Sequence, residues 1–280
     1  MNIKVLSDST CDLSAALLQQ HNITMIPLTV VKGDEQFKDG VTITPADIFA
    51  HVENGGALCS TAANSIGEYA DQFEKYAADY DGIILVTIGS SFSACYQNAT
   101  LAAEDYPNVR VIDSQNLTAG QGLVVLKACE LAKSATDLDA LAAELRAYTE
   151  KIEASFLVDK LDYLVKGGRC SSAAALGANL LNLKPCIEVK NGKMAVGKKY
   201  RGNYAKCLAN YVKERLEGRE DIDWDTLFIT KTVVSEGCYA AVLDAAKAYG
   251  NFDTVYETTA GCTISCHCGP GTLGILFVKK

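Results

Sequence analysis

The sequence predicts an α/β protein: a three-layer domain on a parallel sheet, followed by an α+β domain. Through the first half, short apolar runs alternate with helical stretches, the pattern of parallel strands covered on both faces by helices. In the second half, helices are interleaved with Asn191-Gly192 between two apolar runs, a hairpin signal because both residues tolerate positive φ. The 280 residues exceed the ~250 at which one hydrophobic core stops growing, which argues for two domains. The change of pattern places them at residues 1–155 and 156–280.

The elements follow in order. Residues 3–6 form a strand that runs into Ser7-Asp8-Ser9-Thr10-Cys11-Asp12 and a helix over 13–21. Residues 23–31 read as a second strand. Thr44 before Pro45 is a helix start, since proline suits the first turn and threonine caps it. A helix over 65–78, a buried strand over 83–88, a helix over 96–105, a strand over 109–112 and a helix over 123–132 continue the alternation. The next helix is expected over 138–154, then a strand over 155–158 and a short apolar segment over 161–165. Lys166-Gly167-Gly168-Arg169 stops that segment, glycine being suited to a helix C-terminus. A helix over 173–181 is followed by hairpin strands 185–189 and 193–197. Helix 204–216, strand 226–230, helix 237–249 and strands near 252–258 and 272–278 complete the chain.

Composition narrows the function. Hydrophobic residues make up 49% and charged residues 21%, a globular balance. No apolar run reaches the ~18 residues of a membrane helix. The opening residues carry too short an apolar stretch for a secretory signal. A net charge of −8 disfavours a duplex-DNA or anionic-membrane surface. Eleven cysteines, spread singly and mostly within apolar segments, read as small buried thiols of a reduced, cytoplasmic protein. Three histidines, His21, His51 and His267, leave little room for metal or acid–base chemistry.

Three strand-to-helix loops are rich in hydroxyls: Ser7–Thr10, Ser90-Ser91-Phe92-Ser93, and Asp113-Ser114 through Thr118; Ser60-Thr61 precedes another helix. In a parallel sheet such loops gather at the carboxyl edge, where ligands bind. Hydroxyls with free helix amides make an anion site without a full cation; equally, Ser and Thr cap helices. No dinucleotide or P-loop glycine pattern occurs. Gly89-Ser90-Ser91-Phe92-Ser93 approaches a hydrolase elbow, with serine where the last glycine belongs, so Ser91 or Ser93 with His267 is an alternative reading as a serine hydrolase. If Cys262–Cys268 is extended, Cys266 and Cys268 share one face and His267 the other, which argues against a metal site and for buried thiols. Arg169 follows two glycines, and Arg201 joins Lys198-Lys199 in a small basic cluster suited to phosphate or an acidic partner.

Taken together, Ser7-Asp8-Ser9-Thr10-Cys11-Asp12-Leu13, Gly89-Ser90-Ser91-Phe92-Ser93, Val111-Ile112-Asp113-Ser114, Lys166-Gly167-Gly168-Arg169, Leu183-Lys184-Pro185 and His267-Cys268-Gly269-Pro270-Gly271-Thr272-Leu273-Gly274 follow one another as in the DegV family, which the chain resembles over essentially its whole length. The resemblance implies two α/β domains, the second with a mixed sheet. It also implies a long-chain fatty acid such as palmitate in a tunnel between them. It implies a non-catalytic carrier, like the lipid-carrying subunit of bacterial fatty acid kinase, that presents the acyl carboxylate to a separate ATP-dependent kinase for acyl-phosphate formation, with the fatty acid as ligand and no cofactor. The head-group hydroxyls map to Thr61 and Ser93; Arg169, Arg201 and His267 fall near the head group or the partner surface. A lipid-transport protein without a kinase is a further alternative. The chain departs from the family at Ala62-Ala63-Asn64-Ser65, where Ser-Gln-Pro-Ser is usual, and at Ala94-Cys95, where Gly-Thr is usual.

Overall fold

The computed structural model describes residues 1–175 and 183–280. The chain runs β1 (Ile3–Asp8), α1 (Ala15–Gln20), β2 (Thr24–Ile26), β3 (Thr29–Lys32), β4 (Glu35–Lys38), α2 (Pro45–Glu53), β5 (Ser60–Ala62), α3 (Ile66–Ala77), β6 (Gly82–Thr87), α4 (Cys95–Ala102), β7 (Val109–Asp113), α5 (Thr118–Ala132) and α6 (Leu138–Thr149). It continues with β8 (Ile152–Leu157), α7 (Asp162–Gly167), α8 (Ser171–Ala174), β9 (Leu183–Lys190), β10 (Lys193–Arg201), α9 (Tyr204–Leu216), β11 (Ile222–Lys231), α10 (Glu236–Tyr249), β12 (Thr254–Thr259), α11 (Cys262–Cys268) and β13 (Leu273–Lys279).

Strands β2-β1-β6-β7 form a parallel sheet. Every residue of β6 is buried, as expected where helices cover both faces. The second sheet is mixed, in the order β10-β9-β8-β13-β11-β12, with β11 and β12 parallel and its other pairs antiparallel. The α/β class, with one parallel and one mixed sheet, is therefore as the sequence predicts. Helix α5 lies between the two sheets. Residues 118–125 are all buried, because a helix wedged between two apolar faces has no solvent side. One hydrophobic cluster runs from the parallel sheet across α5 to Ala154, Phe156, Leu276 and Val278. A second lies on the far face of the mixed sheet, under α9 and α10. The hairpin turn has Asn191 at φ 50° and Gly192 at φ 71°, the two positive angles of a type I′ turn.

Four expectations are corrected. The strand over 23–31 is two strands: β2 joins the parallel sheet and β3 joins a separate sheet, β4-β3-β5. Pro27 stands between them, where its missing N–H interrupts pairing. The helix over 138–154 ends at Thr149, and Ile152–Leu157 pairs with β13 and β9 as β8. Helix α5 starts at Thr118 rather than Leu123. Cys262–Cys268 is helix α11, not an extended segment, because Gly261 and Gly269 bracket a seven-residue stretch whose first amides are capped from elsewhere in the fold. The predicted helix over 173–181 meets α8 at its start, and its remainder, from 176, lies outside the described residues.

Candidate functional site

Helix α11 is docked by carboxylates from the first half of the chain. Asp12 Oδ1 accepts from Gly261 N at 2.9 Å. Asp39 accepts from Cys262 N at 2.8 Å and Thr263 N at 3.1 Å, and from Ser9 Oγ at 3.0 Å. These bonds satisfy amides that a helix start leaves unpaired. Burial, first, and neighbouring Asp39 and Asp8 hold the Asp12 carboxyl well above the usual range, although Thr118 and Gly261 bond to it.

The hydroxyl-rich loops divide into two kinds. Ser9 and Thr10 are buried and spent on Asp39, Asp8 and Gln121. Ser90 Oγ donates to Asp113 at 2.5 Å, Ser114 Oγ to Asn116 O at 3.1 Å, and Thr118 Oγ1 to Asp12 at 2.5 Å. In the first and third loops the structural role of the hydroxyls holds. The second loop contributes Ser93 to a cavity of about 200 Å³.

That cavity is lined by Thr61, Ser93, Thr263, Arg169 and His267, and otherwise mainly by apolar side chains, including Leu28, Ile88, Phe92, Leu117, Met194 and Ile264. Thr61 comes from β5, where it pairs opposite Val30. Its Oγ1 lies 2.8 Å from His267 Nε2, joining residues 206 apart in sequence. Ser93 Oγ accepts from Cys95 N at 3.3 Å and donates to Cys95 Sγ at 3.1 Å, so it serves the start of α4, whose own N-cap, Ala94, makes no side-chain bond. Ala94 has φ −75°, a conformation that requires no glycine.

His267 is neutral at pH 7: burial and the adjacent Arg169 push it down to about 4. Its Nδ1 is buried with no hydrogen-bond partner among the described residues. The Lys166-Gly167-Gly168-Arg169 motif explains that packing. A Cβ on Gly167 would stand 2.6 Å from Nδ1, so only glycine admits the ring. Gly168, at φ 70°, ends α7 in the left-handed conformation. Arg169 is thereby turned to the cavity rim, its guanidinium donating to Phe92 O and Gly167 O.

Arg201 is not brought to this cavity. It closes β10 seven residues beyond Met194, roughly 20 Å along a strand, and is exposed. Lys198 beside it is paired with Glu214 at 2.5 Å. Ser91, exposed, opens onto a neighbouring polar cleft with Arg169 and Lys193. The Ser91 or Ser93 hydrolase reading placed a serine on His267; the serine-like partner found on Nε2 is Thr61. No group of three His, Cys, Asp or Glu side chains is placed to hold a metal ion among the described residues. In α11, Cys262 and Cys266 stand one turn apart within an apolar cluster beneath the β4-β3-β5 sheet.

Sequence reasoning missed Thr263, Asp39 and the apolar lining. Thr263 sits in a segment read as extended. Asp39 sits before Gly40 in what reads as an ordinary turn. Apart from Phe92, which stands within Gly89–Ser93, the apolar lining residues named above carry no motif, because any well-sized apolar side chain serves there.

Comparisons with known proteins bear on the family and the fold. Residues 2–280 match the model of the DegV family of uncharacterised proteins. A DegV domain-containing protein of Clostridium acetobutylicum is 30% identical over 283 residues, covering 99% of both chains. A fatty-acid-binding DegV family protein from Thermus thermophilus superimposes with a TM-score of 0.90 at 28% identity, covering all of both chains. A stearic-acid-binding protein from Eubacterium ventriosum superimposes with a TM-score of 0.86 at 26% identity, covering 99% of this chain and 98% of that one. With nearly its whole length matched and the same fold throughout, the chain belongs to the DegV family.

Proposed function

We propose that this protein binds a long-chain fatty acid such as palmitate, its carboxylate held by Thr61 and Ser93 and its tail in the apolar cavity. The observation that carries the reading is the lining of that cavity: hydroxyls, a neutral imidazole and one guanidinium among mainly hydrocarbon side chains. The relatives from Thermus thermophilus and Eubacterium ventriosum, described as binding fatty acid and stearic acid, support the same class of ligand.

The energetics favour a tail-driven site. A sixteen-carbon acid buries about fourteen methylenes at ~0.8 kcal/mol each, or ~11 kcal/mol before association costs. A hydrogen bond to a charged group contributes roughly 1.5–3 kcal/mol. The tail sets affinity and the hydroxyls set orientation. For Thr61 to donate to a carboxylate, its oxygen must accept from His267, so the ring carries its proton on Nε2. The imidazole then fixes the hydroxyl rotor without adding charge.

Neutral donors leave a carboxylate oxygen nucleophilic. We infer that the protein is a carrier rather than a catalyst and that a separate kinase supplies ATP and transfers its γ-phosphoryl group to that oxygen. Arg169 at the rim suits the developing phosphate, and Arg201, distant and exposed, suits the partner surface. The free thiols throughout the chain fit a reducing, cytoplasmic setting. The test is extraction of the purified protein and mass measurement of what it carries. The reading expects a long-chain fatty acid at close to one per chain; a polar metabolite or no lipid, together with no uptake of palmitate, contradicts it.

A further inference from the structure

The apolar space behind the head group is interrupted. The first cavity ends on Leu117, Ile264 and Cys268, and the same three side chains wall off a second cavity of about 20 Å³, space for roughly one water. Beyond the wall, the second cavity reaches Phe156 and Leu276 of the mixed sheet. The wall residues are buried, at 3%, 6% and 2% exposure.

They are mounted differently. Ile264 and Cys268 belong to α11, whose start is pinned by Asp12 and Asp39. Leu117 stands at a joint where extended backbone, at φ −147°, meets Thr118 at φ 48°. For a β-branched residue that left-handed angle is a true outlier. Strain of this kind persists only where the surroundings enforce it, and it clusters at clamps and switches. Here the Thr118 hydroxyl is tied to Asp12. The wall therefore has two fixed members and one on a strained joint, placed where two apolar spaces nearly meet.

We propose that Leu117 is the chain-length determinant of this site, a conclusion that rests on the fatty-acid reading above. An acyl chain that ends short of Leu117 occupies only the first cavity. A longer one reaches the second by turning Leu117 aside. Each methylene moved from water into an apolar wall is worth roughly fourfold in affinity. Along a series of acids, that gain continues to the wall and shrinks there.

The experiment uses delipidated full-length protein and straight saturated acids of even length, from octanoate to stearate, with dissociation constants for the parent, Leu117→Ala, Leu117→Met and Leu117→Phe. The parent is expected to show a break in the gain per carbon. Leu117→Ala removes the break and tightens the longest acids about tenfold or more, the worth of two methylenes, with a smaller effect on acids shorter than the break. Leu117→Met, which keeps the volume, shifts the series the same way by less. Leu117→Phe weakens the longest acids and spares the shortest. A smooth parent series, or variants that change short and long acids by the same factor, overturns the proposal while the fatty-acid reading stands. Failure of every acid to bind the parent overturns both.

Discussion

Two buried polar clusters lie close together in this molecule, and they are built on opposite plans. Around Asp8, Asp12 and Asp39, carboxylates and donors are matched: Asp8 takes Thr10, Gln121 and Ile88 N, Asp12 takes Thr118 and Gly261 N, and Asp39 takes Ser9, Cys262 N and Thr263 N. Around Thr61, Ser93 and His267, hydroxyls line a cavity, and Thr263 Oγ1 is buried without a partner among the described residues. The first cluster is an internal clasp that fixes α11 to the parallel-sheet half. The second is fixed in place by that clasp but left chemically unfinished. Buried polar groups cost free energy unless bonded, so unfinished ones mark where a ligand supplies the missing partner.

Breaking the clasp has the largest expected effect. Asp39→Ala strands one hydroxyl and two amides, at about 1–3 kcal/mol each, so urea unfolding should show a loss of at least about 3 kcal/mol. Fatty-acid affinity falls with it, because α11 carries His267. Breaking the unfinished cluster does the reverse. Thr61→Val with Ser93→Ala should weaken palmitate binding by about 3 kcal/mol, roughly a hundredfold, while the unfolding midpoint falls less than with Asp39→Ala, by what the Thr61–His267 bond and the Ser93 bond at the start of α4 contribute. If both substitutions destabilised the fold alike, the distinction between clasp and ligand site would be lost.

The third test is pH. The folded protein holds the His267 pKa at about 4, below its ordinary 6.5, so between those values the unfolded chain binds the extra proton. The stability contributed by neutral His267 is complete above about pH 6.5 and is lost as pH falls toward 4. His267→Gln should flatten that part of the stability–pH curve, measured as the urea midpoint at pH 4–7. The smallest effect on binding is expected from Arg201→Ala. It should leave palmitate affinity unchanged and slow acyl-phosphate formation with a cognate kinase; a normal rate would remove Arg201 from the partner surface.

Much of this organisation was legible in the sequence. Strand–helix alternation announced the parallel sheet, and Asn191-Gly192 announced the hairpin, because period and turn chemistry are local properties. The ordered motifs brought Thr61, Ser93, Arg169 and His267 to notice, and the fold places these four around one cavity. Local signals failed where tertiary contacts decide. Cys262–Cys268 reads equally as strand or helix until Asp12 and Asp39 cap it. Ser9 and Thr118 look like ligand hydroxyls until their aspartates appear. The glycine of Lys166-Gly167-Gly168-Arg169 that matters most, Gly167, is required by a histidine 100 residues away, a constraint no window of sequence contains. Arg201, which the resemblance puts near the head group or on the partner surface, lies away from the cavity, a distance that sequence alone does not carry.

The most direct test of the central claim is carbon-13 NMR of palmitate labelled at its carboxyl carbon and bound to the delipidated protein. One sharp bound resonance is expected, distinct from free and micellar acid, which shifts when Thr61→Val and Ser93→Ala are introduced and stays put with Arg201→Ala. A bound resonance indifferent to both hydroxyls would contradict the account.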